Sequence, residues 1–216
     1  MYIVTGSKDC TPGFDPKVIS VFDKDMILLN NAFPKSEFQA IKKLICSESF
    51  PWFYTGTAYP DEVSGIEQYS WAHMAKNIDG WTSFICKPLE AMILDALEQV
   101  DEPVKNIIRI RLGLVSVTSH PVIHVPHIDL TQPHRTGLLY INDSDGDTIL
   151  YNEMYDPSSG LDVYTFYKDV LKERLTIQDN IQPTENTLVC FEGYRYHSST
   201  SPVKQSRRIV LNFNYE

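Results

Sequence analysis

The chain has no Cys-x-x-Cys pair, no long apolar run, no basic stripe and no internal repeat, and each gap removes a class of protein. Its four cysteines, Cys10, Cys46, Cys86 and Cys190, are far apart. That spacing argues against a zinc knuckle or a disulfide framework and reads as reduced, mostly buried thiols. No stretch has the ~20 apolar residues that a bilayer span needs. Met1 to Lys24 lacks a charged leader followed by an apolar segment, so a cytoplasmic protein with no membrane contact is expected. Acidic residues outnumber basic ones by 28 to 19, a formal charge of −9, and the basic residues are scattered. Binding to nucleic acid rests on many phosphate-neutralising Lys and Arg contacts, so no nucleic-acid partner is expected.

What is present is bulky. Of the 216 residues 43% are hydrophobic and 12% aromatic, enough for a core and far from a disordered composition. The length suits one domain, 1–216, with residues 1–106 as a helical and strand support around a β core formed by 107–216. An early strand is expected between Val18 and Asn31. Phe38, Ile41, Leu44 and Ile45 recur at helical spacing after a candidate N-cap, Ser36, which predicts a helix over 36–47. Leu89, Met92, Ile93, Leu97 and Val100 predict a second helix from Pro88 to Val100. Between them the aromatic-rich stretch from Phe50 to Trp81 reads as short strands and loops.

From Ile107 onward the texture changes to short β segments divided by Gly, Asp, Asn and Pro: 107–117, 137–141, 148–151, 187–191 and 209–213. A helical spacing at Val163, Phe166, Tyr167, Val170 and Leu171 interrupts them and predicts an inserted helix or lid over 161–175.

The chemistry lies in Val125-Pro126-His127-Ile128-Asp129. Residues i and i+2 of an extended strand share a face, so His127 and Asp129 can grip one ion. His197 follows the strand-like Leu188-Val189-Cys190-Phe191 and supplies a third ligand. Two histidines and one carboxylate form the facial set that leaves open positions on iron(II). A lone His-x-Asp is weak on its own, since a polar strand end reads the same way. Ten or so residues after His197 come Arg207 and Arg208, then the alternating Ile209-Val210-Leu211-Asn212-Phe213-Asn214. An arginine there can clamp a carboxylate through two parallel charge-assisted hydrogen bonds.

Taken in order, His127-Ile128-Asp129, the Tyr140 strand Gly137-Leu138-Leu139-Tyr140-Ile141-Asn142, the turn Asp145-Gly146-Asp147-Thr148, His197 and Arg208 resemble the 2-oxoglutarate/Fe(II)-dependent dioxygenases. The likeness is to the prolyl-4-hydroxylase-like branch, including forms carried by phages and marine bacteria, and covers roughly residues 107–216. It implies a mainly β double-stranded β-helix, or jelly roll, with N-terminal helices packed outside. It also implies Fe(II) held by His127, Asp129 and His197, with 2-oxoglutarate and O2 as co-substrates. Tyr140 and an arginine would share the far carboxylate of 2-oxoglutarate. Neighbouring strand residues face opposite ways, so only one of Arg207 and Arg208 can serve; Arg208 fits the closing strand better, and an upstream bulge would select Arg207. The turn departs from the family's two-glycine form, and the insertion from Glu153 to Glu185 is larger than a hairpin.

The resemblance implies hydroxylation of an acceptor with release of succinate and CO2. The acceptor is a peptidyl proline or other amino-acid residue, or a small metabolite. Two rivals stand beside this reading. A cupin-like metal protein needs the histidines but has no use for the arginine, and a non-catalytic jelly-roll module needs neither. His124 is a competing ligand, though surface or packing is its default, as for His120. His134 belongs to a loop near the site, and His73 reads as structural. Arg109 and Arg111 alternate with apolar residues on a strand close to the pocket and could carry positive charge inward, with exposed, salt-bridged side chains as the default expectation. Tyr140 also reads as an ordinary core tyrosine.

Overall fold

The computed structural model describes residues 17–22, 26–55, 70–159 and 175–216. Cys10, most of the segment from Met1 to Lys24 and nearly all of the expected 161–175 helix fall outside the described residues. Strand β1 (Lys17–Phe22) and strand β2 (Met26–Asn30) form an antiparallel hairpin where one early strand was expected. Helix α1 (Lys35–Ile45) buries Phe38, Ile41 and Ile45. Its N-cap is Pro34 rather than Ser36, and no side chain caps it. Strands β3 (Phe53–Tyr54), β4 (Ser70–Asn77) and β5 (Gly80–Trp81) precede helix α2 (Cys86–Glu98). Helix α2 buries Leu89, Met92, Ile93 and Leu97, the stripe read from the sequence.

Eight extended segments follow, and their pairing defines the fold. Strands β6 (Ile107–Ser116), β7 (Arg135–Tyr140), β10 (Thr187–Glu192) and β12 (Arg207–Tyr215) lie in one sheet in the order β10-β7-β12-β6. Strands β8 (Thr148–Met154), β9 (Ile177–Ile181) and β11 (Arg195–Ser199) form the other in the order β11-β8-β9. Residues 122–127 extend this second sheet through bridges Ile123↔Thr200 and His127↔His197. The chain thus crosses between two facing four-stranded layers, the double-stranded β-helix that the sequence led us to expect.

The N-terminal half is less separate than expected. Strands β1 and β2 extend the larger sheet beyond β10, and β4 and β3 extend it beyond β6. One face of that sheet packs on both helices in the main core, which takes Ile110, Leu112, Ile209, Leu211 and Phe213 from adjacent strands. The opposite face looks onto the smaller sheet, and the candidate site lies between them. Among the described residues no helix is long and apolar enough to cross a membrane.

Candidate metal centre and its cavity

His127, Asp129 and His197 converge. One ligand atom from each lies within 4.8 Å of the others. The histidines meet because the 122–127 segment is laid against β11: His127 N–H donates to the His197 carbonyl (2.9 Å) and His197 N–H to that of His127 (3.0 Å). Their rings stand 4.6 Å apart. Asp129, two residues on, turns to the same face.

The polar environment suits a cation. Nδ1 of His127 is 3.0 Å from the Val125 carbonyl and Nδ1 of His197 is 3.1 Å from that of Arg195. A carbonyl only accepts, so both Nδ1 atoms carry the proton and both Nε2 atoms present a lone pair. Nε2 of His197 is buried and has no hydrogen-bond partner. A buried polar atom left without a partner is costly, and a metal ion removes that cost. Burial alone would raise the Asp129 pKa. The Arg109 charge, the two histidines and the Asn214 amide outweigh it and hold the carboxyl well below its ordinary value. Arg109 Nη2 lies 2.6 Å from Oδ1, while Asn212, Asn214 and Thr136 donate to Oδ2 at 3.1, 2.9 and 3.2 Å. Burial, then the neighbouring His127, depresses the pKa of His197 to about 4, which keeps the imidazole in the ligating form.

Burial separates the two arginines. Arg208 is 7% exposed and Arg207 lies on the outer side of the strand, exposed. β12 pairs with β6 without interruption at these positions, so no bulge turns Arg207 inward in place of Arg208. Arg208 Nε donates to the Gly146 carbonyl (2.9 Å) and Nη2 to Thr148 Oγ1 (2.7 Å). Glycine is required at 146, since a Cβ there would stand 2.5 Å from the Thr200 carbonyl oxygen. Arg208, Thr148, His127 and His197 all line one cavity of about 160 Å3.

Tyr140 does not line it. The residue is fully buried, and its hydroxyl donates to Thr148 Oγ1 at 2.9 Å. Tyr140 therefore braces Thr148 and Arg208 from behind, and of the bonded pair Tyr140 and Thr148 it is Thr148 that lines the cavity. Thr148 carries no sequence signal of its own; its role follows only from accepting both donors.

Arg109 and Arg111 overturn the expectation of exposure. Both lie on the cavity face of β6, Arg109 in the ion pair with Asp129 and Arg111 in the cavity wall. An arginine at alternate positions of a strand whose other face is core was the available signal, as were Asn212 and Asn214 on β12. His124 also lines the cavity, with its ring nitrogens 2.8 Å from Ser199 Oγ and 2.9 Å from Ser201 Oγ. Both nitrogens are thus engaged by hydroxyls rather than turned to the ligand cluster. His134 is buried near the site with Nδ1 on the Gln132 carbonyl, His120 is exposed, and His73 bonds Pro51 and Ser83 as a structural residue.

No protein-family model matches the chain, and no curated protein matches it at a significant level. Solved structures do. An oxidoreductase of the 2OG-Fe(II) oxygenase family from Burkholderia pseudomallei superposes with a TM-score of 0.58 at 12% identity, over 90% of this chain and 86% of that one. A prolyl hydroxylase from Trichoplax adhaerens, in complex with a hypoxia inducible factor oxygen degradation domain peptide fragment, gives 0.55 at 13% identity, over 89% and 84%. HygX from Streptomyces hygroscopicus, with nickel and 2-oxoglutarate bound, gives 0.52 at 10% identity, over 88% and 82%. At such identities the likeness is one of architecture, and the chain has the double-stranded β-helix fold of the 2-oxoglutarate/Fe(II) oxygenases.

Proposed function

We propose that the chain is an Fe(II)- and 2-oxoglutarate-dependent oxygenase: a substrate C–H, 2-oxoglutarate and O2 become C–OH, succinate and CO2. The observation that carries this reading is Arg208. A buried guanidinium with no carboxylate in salt-bridge range among the described residues opens on the same cavity as two histidines whose Nδ1 atoms are each held by a backbone carbonyl. Burying an unpaired charge is expensive, so the site anticipates an organic anion. A cupin-like metal protein would have no use for it.

His127, Asp129 and His197 would hold the iron, which supplies oxygen-activating chemistry at its remaining positions. The chain's own residues do the rest. The carbonyls of Val125 and Arg195 fix the tautomer and aim of each imidazole. Arg109 and the two asparagines keep Asp129 ionised and in place. Arg208 receives the far carboxylate of 2-oxoglutarate with Thr148, whose hydroxyl accepts from Arg208 and Tyr140 and keeps its own proton to donate. Leu138, Val122, Val125 and Val210 give the cavity apolar walls that thin out water. The acceptor is a small molecule or an amino-acid residue of a peptide, as the neighbours' bound partners illustrate.

Anaerobic titration with Fe(II) and 2-oxoglutarate tests this, read by the visible metal-to-ligand charge-transfer band and then by succinate release in air. Arg208→Ala should keep Fe(II) and weaken 2-oxoglutarate about ten- to a hundredfold, the size of a lost charge-assisted hydrogen bond. Unchanged co-substrate affinity in that variant would return the fold to the cupin-like reading.

A further inference from the structure

A second arginine in the cavity has no task in the reaction as described. Arg111 lies on the cavity face of β6, opposite Asn212 of β12 and Met74 of β4. Arg109, two residues before it, is taken up by Asp129. Arg208 stands on the far side of Gly113, four residues along the strand pair, or about 13 Å from Arg111 at 3.3 Å per residue. Among the described residues Arg111 has no ion pair and no hydrogen bond. Burial and the like charge of Arg109 both act against its protonated form, and Asp129 only partly offsets them.

The space around Arg111 is shaped to receive something. Its Nη1 lies 3.6 Å from where a Cβ on Gly113 would stand, so the side chain runs over a glycine and no larger side chain covers the guanidinium there. From Arg111 the wall runs past Gly113 toward Val115 and Arg208, and His127 and His197 line the same cavity. A planar guanidinium held without an acceptor in a partly buried wall is a receptor for a planar anion. With one cation available, a monoanion balances the charge, whereas a phosphate dianion would leave a net negative charge buried.

We propose that Arg111 anchors a carboxylate of the prime substrate and thereby presents a nearby C–H to the His127, Asp129 and His197 centre. The inference rests on the oxygenase reading and narrows its substrate class to carboxylic acids, supplied either as a free amino or organic acid or as an acidic side chain of a peptide.

The test starts from protein loaded anaerobically with Fe(II) and 2-oxoglutarate. It is offered the proteinogenic amino acids and short organic acids, each beside its primary amide, and two capped peptides, acetyl-Ala-Asp-Ala-amide and acetyl-Ala-Glu-Ala-amide. Binding is read as a shift of the charge-transfer band, and turnover in air as succinate above the substrate-free rate. At least one acid should shift the band and stimulate succinate while its amide does neither. Arg111→Gln should weaken that acid about tenfold or more, and Arg111→Lys should recover part of it. The affinity for 2-oxoglutarate should stay within about twofold in both variants. A response from free acids but not peptides, or the reverse, assigns the source of the carboxylate. Acids no better than their amides, or a panel with no response at all, would overturn the inference. So would a tenfold loss of 2-oxoglutarate in Arg111→Gln, which would make Arg111 part of the co-substrate site. Wild-type protein that forms no charge-transfer band with 2-oxoglutarate would instead sink the oxygenase reading beneath it.

Discussion

The two faces of the β6–β12 strand pair are built on opposite rules. Toward the helices, Ile110, Leu112, Ile209, Leu211 and Phe213 bury apolar surface in ordinary fashion. Toward the smaller sheet, the same two strands turn in Arg109, Arg111, Arg208, Asn212 and Asn214. Buried polar groups are tolerated when they satisfy one another, and here most do: Arg109, Asn212 and Asn214 converge on Asp129, while Arg208 holds Gly146 and Thr148. The first face stabilises the fold with material any core could use. The second turns polar groups inward, and it is the face on which the proposed ion and anions would bind.

Removing the hub of the polar face should break that comparison most sharply. Asp129→Ala leaves the partly buried Arg109 without its counter-charge and three donors without an acceptor, a loss of about 3 kcal/mol in metal-free protein. Urea denaturation of the apo variant measures it. A loss below about 1 kcal/mol would mean that the polar face is solvated and not a network. On the apolar face, Leu211→Ala should cost about 2–5 kcal/mol by cavity formation, yet the folded variant should bind Fe(II) and 2-oxoglutarate as tightly as the wild type. Weakened ligand binding there would show that the faces are not independent.

Acid should attack the polar face and spare the apolar one. Burial, then the charge of Arg208 and the proximity of His127, lowers the His124 pKa to about 4 from an ordinary value near 6.5. As the pH falls below 6.5 the unfolded chain takes up a proton there and the native state does not. Stability from this group is thus complete above about 6.5 and is lost progressively down to about 4, by up to about 3 kcal/mol. Urea midpoints of metal-free protein across that interval should fall in the wild type. The slope should flatten in His124→Asn, and an unaltered slope would remove His124 as its source.

How much of this was legible follows the same division. Helix α2 and the strands around Leu188, Leu211 and Leu139 were readable because apolar periodicity is a one-sequence signal. His127 and Asp129 were readable because i and i+2 share a face on any strand. The cavity arginines were misassigned because alternation of Arg with Ile looks the same whether the polar side meets water or a second sheet. Strand β9, Ile177-Gln178-Asp179-Asn180-Ile181, was missed because its side chains are largely polar and it is held in place by pairing with β8. The cap of α1 at Pro34 rather than Ser36 lies two residues earlier than expected and alters nothing that supports the site.

The smallest expected effect separates bracing from binding at the Arg208 end. Tyr140 has its hydroxyl on Thr148, its ring centroid 5.9 Å from the Arg208 guanidinium carbon, and no wall in the cavity. Burial raises its pKa while Arg208 and Thr148 oppose the rise, so the hydroxyl stays protonated and able to donate. Tyr140→Phe deletes one buried hydrogen bond and keeps the ring, a loss of about 1 kcal/mol in the urea midpoint. Its 2-oxoglutarate affinity should change by no more than about threefold, because Thr148 keeps its bond to Arg208 and the wall is intact. Thr148→Val, which removes the hydroxyl from the wall itself, should weaken 2-oxoglutarate more than Tyr140→Phe does. If the order is reversed, and the phenylalanine variant loses tenfold or more, the tyrosine hydroxyl reaches the carboxylate directly, and the polar face closes around its ligand by a rearrangement of Tyr140.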